Sequence, residues 1–442
     1  MAPLPRLLAV LTAAGLTPCG GHMGTAEASA GGISWESPLD LASGEAWQGP
    51  WRMNDSDFRY VDDPNVAVAA DGAFAVAWVD QARKDVMLQV YEADATPRFD
   101  DGPVSVSRSP DVFSWLPRVV LGDDEAVFVL WQEILFTGGS HGGEILFAHS
   151  EDGGRTFSDP INLSQTTAGA GKGRITAQSW HNGSLDLVRA ADGTLYAAWT
   201  EYEGGLWVAH STNDGAEFSA PVEVVATGSD APARGPALAV TAEGVVLVTW
   251  TVGEDPAADI HLARSTDSGR SFSDPQRVHV SSGHADAPTL AVAGNGRIHL
   301  AWGYRDADAP RLGRIGIAHS DDDGENFSSV RLLDQADDVP HGGAFPSLAA
   351  DGDGVHVVAE RVSDSGQGFQ GLLHAWAAGG ETFTALRTVP GSDDETSGGR
   401  QGLLMQKLAL HPDGRILAVH STYDRGRRSS VRLLAGRPQN DT

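Results

Sequence analysis

The chain has 442 residues, of which 41% are hydrophobic, so it is long enough to bury a large core. Lysine and arginine total 31 against 59 aspartates and glutamates, which gives a net charge of -28. A surface this acidic repels nucleic acid and anionic membranes, and both are excluded as direct partners.

The N-terminal residues have the pattern of an export signal. Arg6 supplies a positive start, residues 7–16 form an apolar stretch, and no other segment is long and apolar enough to span a membrane. The only cysteine, Cys19, lies in a context that resembles the lipid-attachment box of bacterial lipoproteins, which predicts a signal peptide over residues 1–19. The alternative is ordinary cleavage near residues 28–30. Either way, we expect an exported protein that is periplasmic, lipid-anchored at the cell surface or extracellular.

Residues 20–32 are small and polar, as is typical of a flexible tether. The following residues, 33–41, resemble the fourth strand of the repeating units described next, for example residues 217–224.

From residue 61 onward, pairs of short apolar runs recur, and each pair is joined by a tight turn. Runs joined by Asp-Gly or Asn-Gly are the strongest short-range signal for a β-hairpin. Such turns occur at residues 71–72, 192–193, 295–296 and 413–414. The second run of a pair usually ends in tryptophan: Trp78, Trp131, Trp199, Trp250 and Trp302. Two weaker copies follow, so the pattern predicts seven units.

A second phrase, Ser-x-Asp-x-Gly-x-x-Phe, recurs at residues 150–157, 211–218, 265–272 and 320–327. The aspartate can accept hydrogen bonds from turn amides, and the glycine supplies a positive φ. The Asp position is held by Asp152, Asn213, Asp267 and Asp322. We call these four segments the Asp turns and expect them to be structural.

Each unit adds a third apolar run, such as residues 145–150, and a short fourth run, such as 161–163 or 278–280. Four antiparallel strands repeated without helices predict an all-β fold, a β-propeller of four-stranded blades. Seven blades are expected, with six and an irregular insertion at residues 168–173 as the alternative. Because the last unit has only three strands, the N-terminal strand is expected to complete it and so close the ring.

The Asp turns resemble the Asp boxes, or bacterial neuraminidase repeats, of the sialidase-like propellers, and the resemblance covers residues 33–435 of a domain predicted over residues 33–442. It implies that the Asp turns lie between third and fourth strands, on the face opposite the active site. It also implies a glycan partner, such as an acidic sugar, in a monomeric exported protein that requires no cofactor or metal.

The resemblance implies site residues on the opposite face. By position, Asp85 resembles the acid/base of a sialidase, Tyr423 its nucleophile and Glu201 the carboxylate that activates the nucleophile. Carboxylate-clamping arginines would be Arg59, Arg234 and Arg400. Further predicted contacts to substrate are Trp115, Trp180, His181 and His341. The family's Arg-Ile-Pro motif is absent, because the equivalent stretch of residues 58–64 carries Arg59 displaced from Pro64.

Three alternatives to a sialidase remain open. A lectin-like or protein-binding surface propeller would use the same aromatics and histidines without catalysis. Another glycoside hydrolase could use two carboxylates, such as Glu133 and Glu201. A metal site built from His181, His284 and His341 is the least favoured, since these histidines lack a local ligand spacing.

Overall fold

A computed structural model describes the chain over residues 28–30, 32–45, 49, 52, 54–134, 143–166, 169–170, 173–176, 179–181, 185–201, 203–253, 257–279, 283–352, 354–366, 368–379, 381–393, 406–424 and 428–439. These residues form strands, turns and loops without an α-helix. In this described part of the chain, no helix is long and apolar enough to cross a membrane. The predicted signal peptide and Cys19 lie outside it.

The strands form seven antiparallel blades. Three N-terminal strands come first: β1 (Ala28–Ala30), β2 (Ile33–Trp35) and β3 (Leu39–Glu45). Blade 1 follows with β4 (Val61–Val68), β5 (Phe74–Asp80), β6 (Asp85–Tyr91) and β7 (Val104–Ser105). Blade 2 has β8 (Ser114–Leu121), β9 (Val127–Glu133), β10 (Glu144–Ser150) and β11 (Ile161–Asn162). A separate hairpin has β12 (Gly173–Thr176) and β13 (Ser179–His181).

Blade 3 consists of β14 (Leu185–Arg189), β15 (Leu195–Thr200), β16 (Leu206–Ser211) and β17 (Val222–Val225). Blade 4 consists of β18 (Ala233–Val240), β19 (Val246–Val252), β20 (Asp259–Ser265) and β21 (Gln276–Arg277). Blade 5 consists of β22 (His284–Val292), β23 (Ile298–Arg305), β24 (Arg314–Ser320) and β25 (Arg331–Leu332). Blade 6 consists of β26 (Gly343–Asp351), β27 (Gly354–Val362), β28 (Phe369–Ala377) and β29 (Arg387–Thr388). Blade 7 has β30 (Leu408–Leu410), β31 (Ile416–Asp424) and β32 (Arg428–Pro438).

The N-terminal strands close the ring, as predicted. Both β2 and β3 pair with the outer edge of β32, with Ile33 opposite Pro438 and Leu39 opposite Leu433. The prediction of seven four-stranded blades is thereby confirmed. One boundary was wrong: the fourth strand of blade 4 lies at Gln276–Arg277, two residues before the expected 278–280.

The core lies mainly between adjacent blades, where the faces of neighbouring sheets pack together. The five tryptophans that end the second runs are each at most 2% exposed. Trp131, for example, packs with Ala77 and Leu88 of blade 1, and Trp199 packs with Leu130 of blade 2. Each tryptophan therefore joins its blade to a neighbour, which explains why the residue recurs with the repeat.

Candidate functional site

The alternation of strand directions gives the propeller two distinct faces. First-to-second hairpins and third-to-fourth turns lie together on what we call the turn face. Second-to-third loops and the connections between blades lie on the opposite loop face. Because each Asp turn follows a third strand, all four belong to the turn face, as expected.

The Asp turns share one set of hydrogen bonds. In the first, the Ser150 hydroxyl donates to Asp152 Oδ1 at 2.7 Å, while the amides of Gly154 and Thr156 donate to Ser150 Oγ and Asp152 Oδ1 at 2.9 and 2.8 Å. Matching bonds occur in the turns of Asn213, Asp267 and Asp322. Hydrogen bonds from the Ser271 and Asn326 side chains are the largest cause that lowers the pKa of Asp267 and Asp322, respectively, to about 2. The polar groups of these turns therefore serve the turns themselves.

The inner strands of five blades carry a shared irregularity. In each, a residue with φ between 52° and 58° precedes a proline, and the register with the second strand shifts at that point. The dipeptides are Asp63-Pro64, Leu116-Pro117, Gly235-Pro236, Ala287-Pro288 and Phe345-Pro346. A proline donates no ladder hydrogen bond, so a bulge is the place in a strand where it is tolerated.

Polar groups near these bulges join neighbouring blades around the axis. The side chain of Asn65 accepts from the Val119 amide at 2.7 Å and donates to the carbonyl of Gln406 at 2.9 Å, which links blade 1 to blades 2 and 7. Asp186 accepts from the Leu238 amide at 2.8 Å, linking blades 3 and 4. Polar side chains of the inner strands thus form hydrogen bonds across the seams between blades.

A channel of about 640 Å³ runs along the axis between the inner strands. Its lining on the turn-face side is mostly alanine, valine and leucine, from residues such as Ala67 and Val240, together with Arg189. Toward the loop face the lining includes a buried ion pair, in which Arg118 Nε lies 3.4 Å from Asp186 Oδ1.

Beside this pair lies a group of buried charges from blades 1, 6 and 7. Lys407 Nζ is 3.4 Å from Glu360 Oε1, and their side chains are only 1% and 4% exposed. Asp62 and Asp63 are also buried, and the charge of Asp63 acts on both Lys407 and Arg118. We call these six residues the axial cluster: Asp62, Asp63, Arg118, Asp186, Glu360 and Lys407.

Asp62 is the most perturbed member of the axial cluster. Burial raises its pKa well above the ordinary value, and the charges of Asp63 and Glu360 raise it further. Hydrogen bonds from the Asp63 backbone and the Ser421 side chain oppose the increase. The Oδ1 atom of Asp62 is buried without a hydrogen-bond partner. An unsatisfied carboxyl oxygen in such a place is costly, and protonation lowers that cost.

In both ion pairs of the axial cluster, burial shifts the pKa of each partner and the attraction between the partners opposes that shift. Burial raises the pKa of Glu360 and lowers that of Lys407, while each partner's charge opposes the change in the other. The same holds for Asp186 and Arg118. The cluster therefore combines a carboxyl group favoured in its protonated form with carboxylates that have cationic neighbours. Paired carboxyl groups whose pKa values differ are the usual acid and base of a glycosidase.

The predicted acid/base, Asp85, has a carboxylate that is already occupied. It accepts hydrogen bonds from the hydroxyls of Ser105 and Ser107 and from the amides of Ser107 and Arg108. Glu144 and Asp259 begin the third strands of blades 2 and 4 and bind residues after the fourth strand in the same way. The repeat indicates a structural bond within each blade, and catalysis by Asp85 stays a prediction.

The predicted clamp arginines have contacts of their own. Arg59 is exposed and lies 3.1 Å from Asp57, whereas Arg234 is buried and donates to the carbonyl of Gly253 at 2.9 Å. Arg400 lies outside the described residues. For Tyr423 only the backbone in β31 is described, so the predicted nucleophile is untested.

Two other predicted carboxylates face different environments. Glu201 accepts from the Thr227 hydroxyl at 2.9 Å. Glu133 is buried and accepts from Trp131 Nε1 at 3.0 Å, and burial raises its pKa.

Of the predicted aromatic and histidine contacts to substrate, the structure describes the side chains of two and not of the other two. Trp115 packs against Tyr60 and Phe113, with ring centroids 6.4 Å apart in each case. His341 lies 3.1 Å from the carbonyl of Asp364. Trp180 and His181 contribute backbone to β13, and their side chains lie outside the described residues.

Metal binding was the least favoured sequence hypothesis, and its histidines are dispersed. His284 Nε2 lies 2.9 Å from Asp286 Oδ2, while His341 bonds elsewhere. Over the part of the chain that the structure describes, no group of three or more ligating side chains could hold a metal ion.

The comparisons with known proteins concern the fold. Neither a protein-family model nor a curated protein matches this chain. Among solved structures, the polysaccharide lyase Uly1 matches with a TM-score of 0.53 and 11% identity, over 91% of this chain and 100% of its own. An ulvan lyase of polysaccharide lyase family 25, bound to a saccharide of glucuronic acid and sulfated rhamnose, matches with a TM-score of 0.53 and 12% identity. The match covers 89% of this chain and 95% of the lyase.

A third match is the α-L-arabinanase of Penicillium chrysogenum with arabinobiose, with a TM-score of 0.49 and 13% identity over 72% of this chain and 92% of its own. At these identities, the two matches with a TM-score of 0.53 show a shared fold and nothing further. This chain is therefore a seven-bladed β-propeller whose structural neighbours include carbohydrate-active enzymes.

Proposed function

We propose that this protein binds a glycan on the loop face and hydrolyses a glycosidic bond at the axial cluster. The observation that carries the proposal is Asp62: a buried carboxyl group with one oxygen lacking a partner, beside the carboxylates of Asp63 and Glu360. Strongly perturbed acids beside a cavity are typical of catalytic sites. The polysaccharide lyases that match with a TM-score of 0.53 support the fold as a scaffold for glycan binding.

In this proposal, Asp62 is the general acid. Its proton passes to the glycosidic oxygen as the bond from that oxygen to the anomeric carbon breaks. Water then supplies a hydroxyl to the anomeric carbon, and the proton that the water loses returns to a carboxylate of the cluster. The charge of Asp63, which raises the pKa of Asp62, also favours the positive charge that develops on the sugar ring.

The substrate proposed for this site is a neutral glycan. Arginine in the Arg-Ile-Pro motif of sialidases stands two residues before proline, and Asp62 holds the corresponding position before Pro64. A carboxylate there would repel the carboxylate of a sialic acid. The sialidase hypothesis would instead require Arg59, Arg234 and Arg400 to converge on the substrate, and the first two already have partners.

A non-catalytic glycan-binding propeller is the second candidate. The ion pairs Lys407–Glu360 and Arg118–Asp186 are both buried, and pairs of this kind also hold blades together without any catalysis. For both candidates we propose an exported protein, on the basis of the apolar residues 7–16.

The decisive experiment compares Asp62→Asn with the wild type on a panel of neutral aryl glycosides, aryl sialosides and polysaccharides. Asparagine preserves the shape of the side chain but cannot donate an acidic proton, so we expect about a hundredfold or greater loss of kcat with retained glycan binding. Asp100→Asn, at an exposed position on the turn between β6 and β7, is the matched control.

Full activity in Asp62→Asn would exclude the proposed acid. Glycan binding without turnover in the wild type would favour the second candidate, and hydrolysis confined to sialosides would restore the sialidase hypothesis.

A further inference from the structure

Each Asp turn also fills a gap between blades, a role that its own hydrogen bonds do not show. The glycine of the turn packs against the preceding blade. A Cβ atom added to Gly269 of blade 4 would lie 3.0 Å from the Tyr196 ring of blade 3, and one added to Gly215 would lie 2.4 Å from Phe147 of blade 2. Gly154 and Gly324 make equivalent contacts with blades 1 and 4. The turn thus covers the turn-face end of the neighbouring second and third strands.

Among the described residues, blade 7 has no such turn: the outer edge of its third strand, β32, pairs with β2 and β3 from the N-terminal part of the chain. In the described residues, no Asp turn covers the turn-face end of blade 6; Trp35 of β2 instead packs edge-on against His374 of that blade, with ring centroids 5.4 Å apart. The paired residues at the turn-face end of blade 6 are His356 and Trp376, whose cross-strand position matches that of Tyr196 and His210 in blade 3. In blade 3 that pair lies beneath Gly269.

A pocket of about 300 Å³ lies between the turn-face ends of blades 6 and 7. Its lining includes Asp351, His356, Trp376, Ala378 and Arg415. We call it the seam pocket. Its volume is at the lower end of the range for small-molecule sites, which suits a single sugar ring better than a long ligand.

The rings in the seam pocket are held by packing beneath them. Trp376 stacks on His356 with centroids 5.9 Å apart and an interplanar angle of 13°, and His356 stacks in turn on His374 at 5.3 Å. His356 Nδ1 lies 3.1 Å from His374 Nε2, and burial lowers the pKa of His356 to about 4. A neutral His356 therefore leaves its other ring nitrogen, Nε2, without a partner in the described protein.

The charges of the seam pocket favour a neutral ligand. Arg415 is buried, and its guanidinium is bonded to Asp413, with Nε 2.9 Å from Oδ2. Asp351 is exposed at the rim and adds a carboxylate. An anion would be repelled by Asp351, whereas sugar hydroxyls could donate to it and the apolar face of the sugar ring could contact the indole.

We propose that the seam pocket is a second carbohydrate site, which binds one neutral sugar ring on the turn face, away from the axial cluster. It does not depend on hydrolysis at the loop face. On a polymeric glycan, two such sites on one rigid propeller would raise the apparent affinity by multivalency.

The test is ligand-observed saturation-transfer NMR with D-glucose, D-galactose and L-arabinose at millimolar concentration, in the Asp62→Asn background. Ala378 is exposed in the turn after β28, so Ala378→Phe fills the pocket without disturbing the core. The matched control is Ala216→Phe, because Ala216 is exposed in the corresponding turn of blade 3.

We expect transfer to at least one sugar, about tenfold weaker binding in Ala378→Phe, and unchanged binding in Ala216→Phe. Asp351→Asn should weaken binding by about tenfold without filling the pocket, because it removes a charged hydrogen-bond acceptor. The proposal is overturned if no sugar shows transfer, or if Ala378→Phe and Asp351→Asn both bind as well as the control.

Discussion

The buried pair of Lys407 and Glu360 allows a sharp test of the axial cluster. The substitution Lys407→Met removes the cation while keeping a similar chain length, and leaves Glu360 as a buried carboxylate. Two unit charges 3.4 Å apart attract by about 5 kcal/mol at an effective dielectric constant of about 20. Loss of one partner from a buried pair typically costs about 3–5 kcal/mol, so we expect a decrease of that size in the free energy of unfolding.

The expected pH dependence follows from the pKa of Glu360. Burial raises this pKa, and in Lys407→Met nothing from Lys407 opposes the increase. A carboxyl group with a raised folded-state pKa is most favourable to folding when protonated, below its unfolded value of about 4.3, and its contribution is lost as the pH rises through the folded pKa. The deficit of Lys407→Met should therefore shrink as the solution is acidified from pH 7 toward that value.

Urea denaturation followed by tryptophan fluorescence measures the effect, with the double variant Lys407→Met/Glu360→Gln as the control. Because the double variant carries no unpaired charge, it should recover most of the lost stability. A decrease below about 1 kcal/mol in Lys407→Met, or the same decrease in both variants, would refute the reasoning that this pair is desolvated and coupled.

Three further predictions concern the turns and the closure of the ring. In thermal unfolding, Gly215→Ala should destabilise the protein more than Gly228→Ala. Both glycines have a positive φ, but only Gly215 has an aromatic ring 2.4 Å from the added Cβ. Equal effects would exclude a packing role for the turn. Because the folded-state pKa of Asp267 is lowered to about 2, its ionised form stabilises the protein above the unfolded pKa of about 3.9, and this stability is lost as the pH falls through about 2. Asp267→Asn should therefore unfold more readily than the wild type at pH 7 and resemble it near pH 2. Deletion of residues 1–45 removes β2 and β3 and leaves β32 as an open edge, so light scattering should reveal association of the truncated protein; a monodisperse, equally stable product would contradict closure by this strand.

Much of the fold was predictable because its signals are local. The Asp-Gly hairpins, the recurrent tryptophans and the Asp turns each depend on residues a few positions apart, and the structure places them in the expected strands and turns. The bulges were also visible in the sequence as a proline near the start of five inner strands. Their role could have been inferred from Pro64, Pro117 and Pro236, since a proline that recurs in a repeated strand indicates a shared interruption of the ladder.

The candidate site was harder to predict because its members come from five blades. Asp62, Asp186 and Lys407 are far apart in the chain and have no common spacing, and only closure of the ring brings blade 7 beside blade 1. Asp62 lies two residues before Pro64, where the family motif has an arginine, but the absence of that motif drew attention only to the displaced Arg59 and did not single out Asp62. Conversely, Asp85 matched the family by position, and only its bonds to Ser107 and Arg108 show that its carboxylate is engaged.

By itself, the sequence determined the number of blades, the strand that closes them and the face that carries the Asp turns, because these follow from patterns repeated within each unit. The tertiary structure decided which charges are buried together at the axis and where a pocket forms between two blades. The pKa of Asp62 depends on desolvation and on neighbours almost 300 residues away in the chain, such as Glu360, and the seam pocket is lined by residues of both blade 6 and blade 7. Neither property is written in any single repeat, since both arise only when the blades form a closed ring.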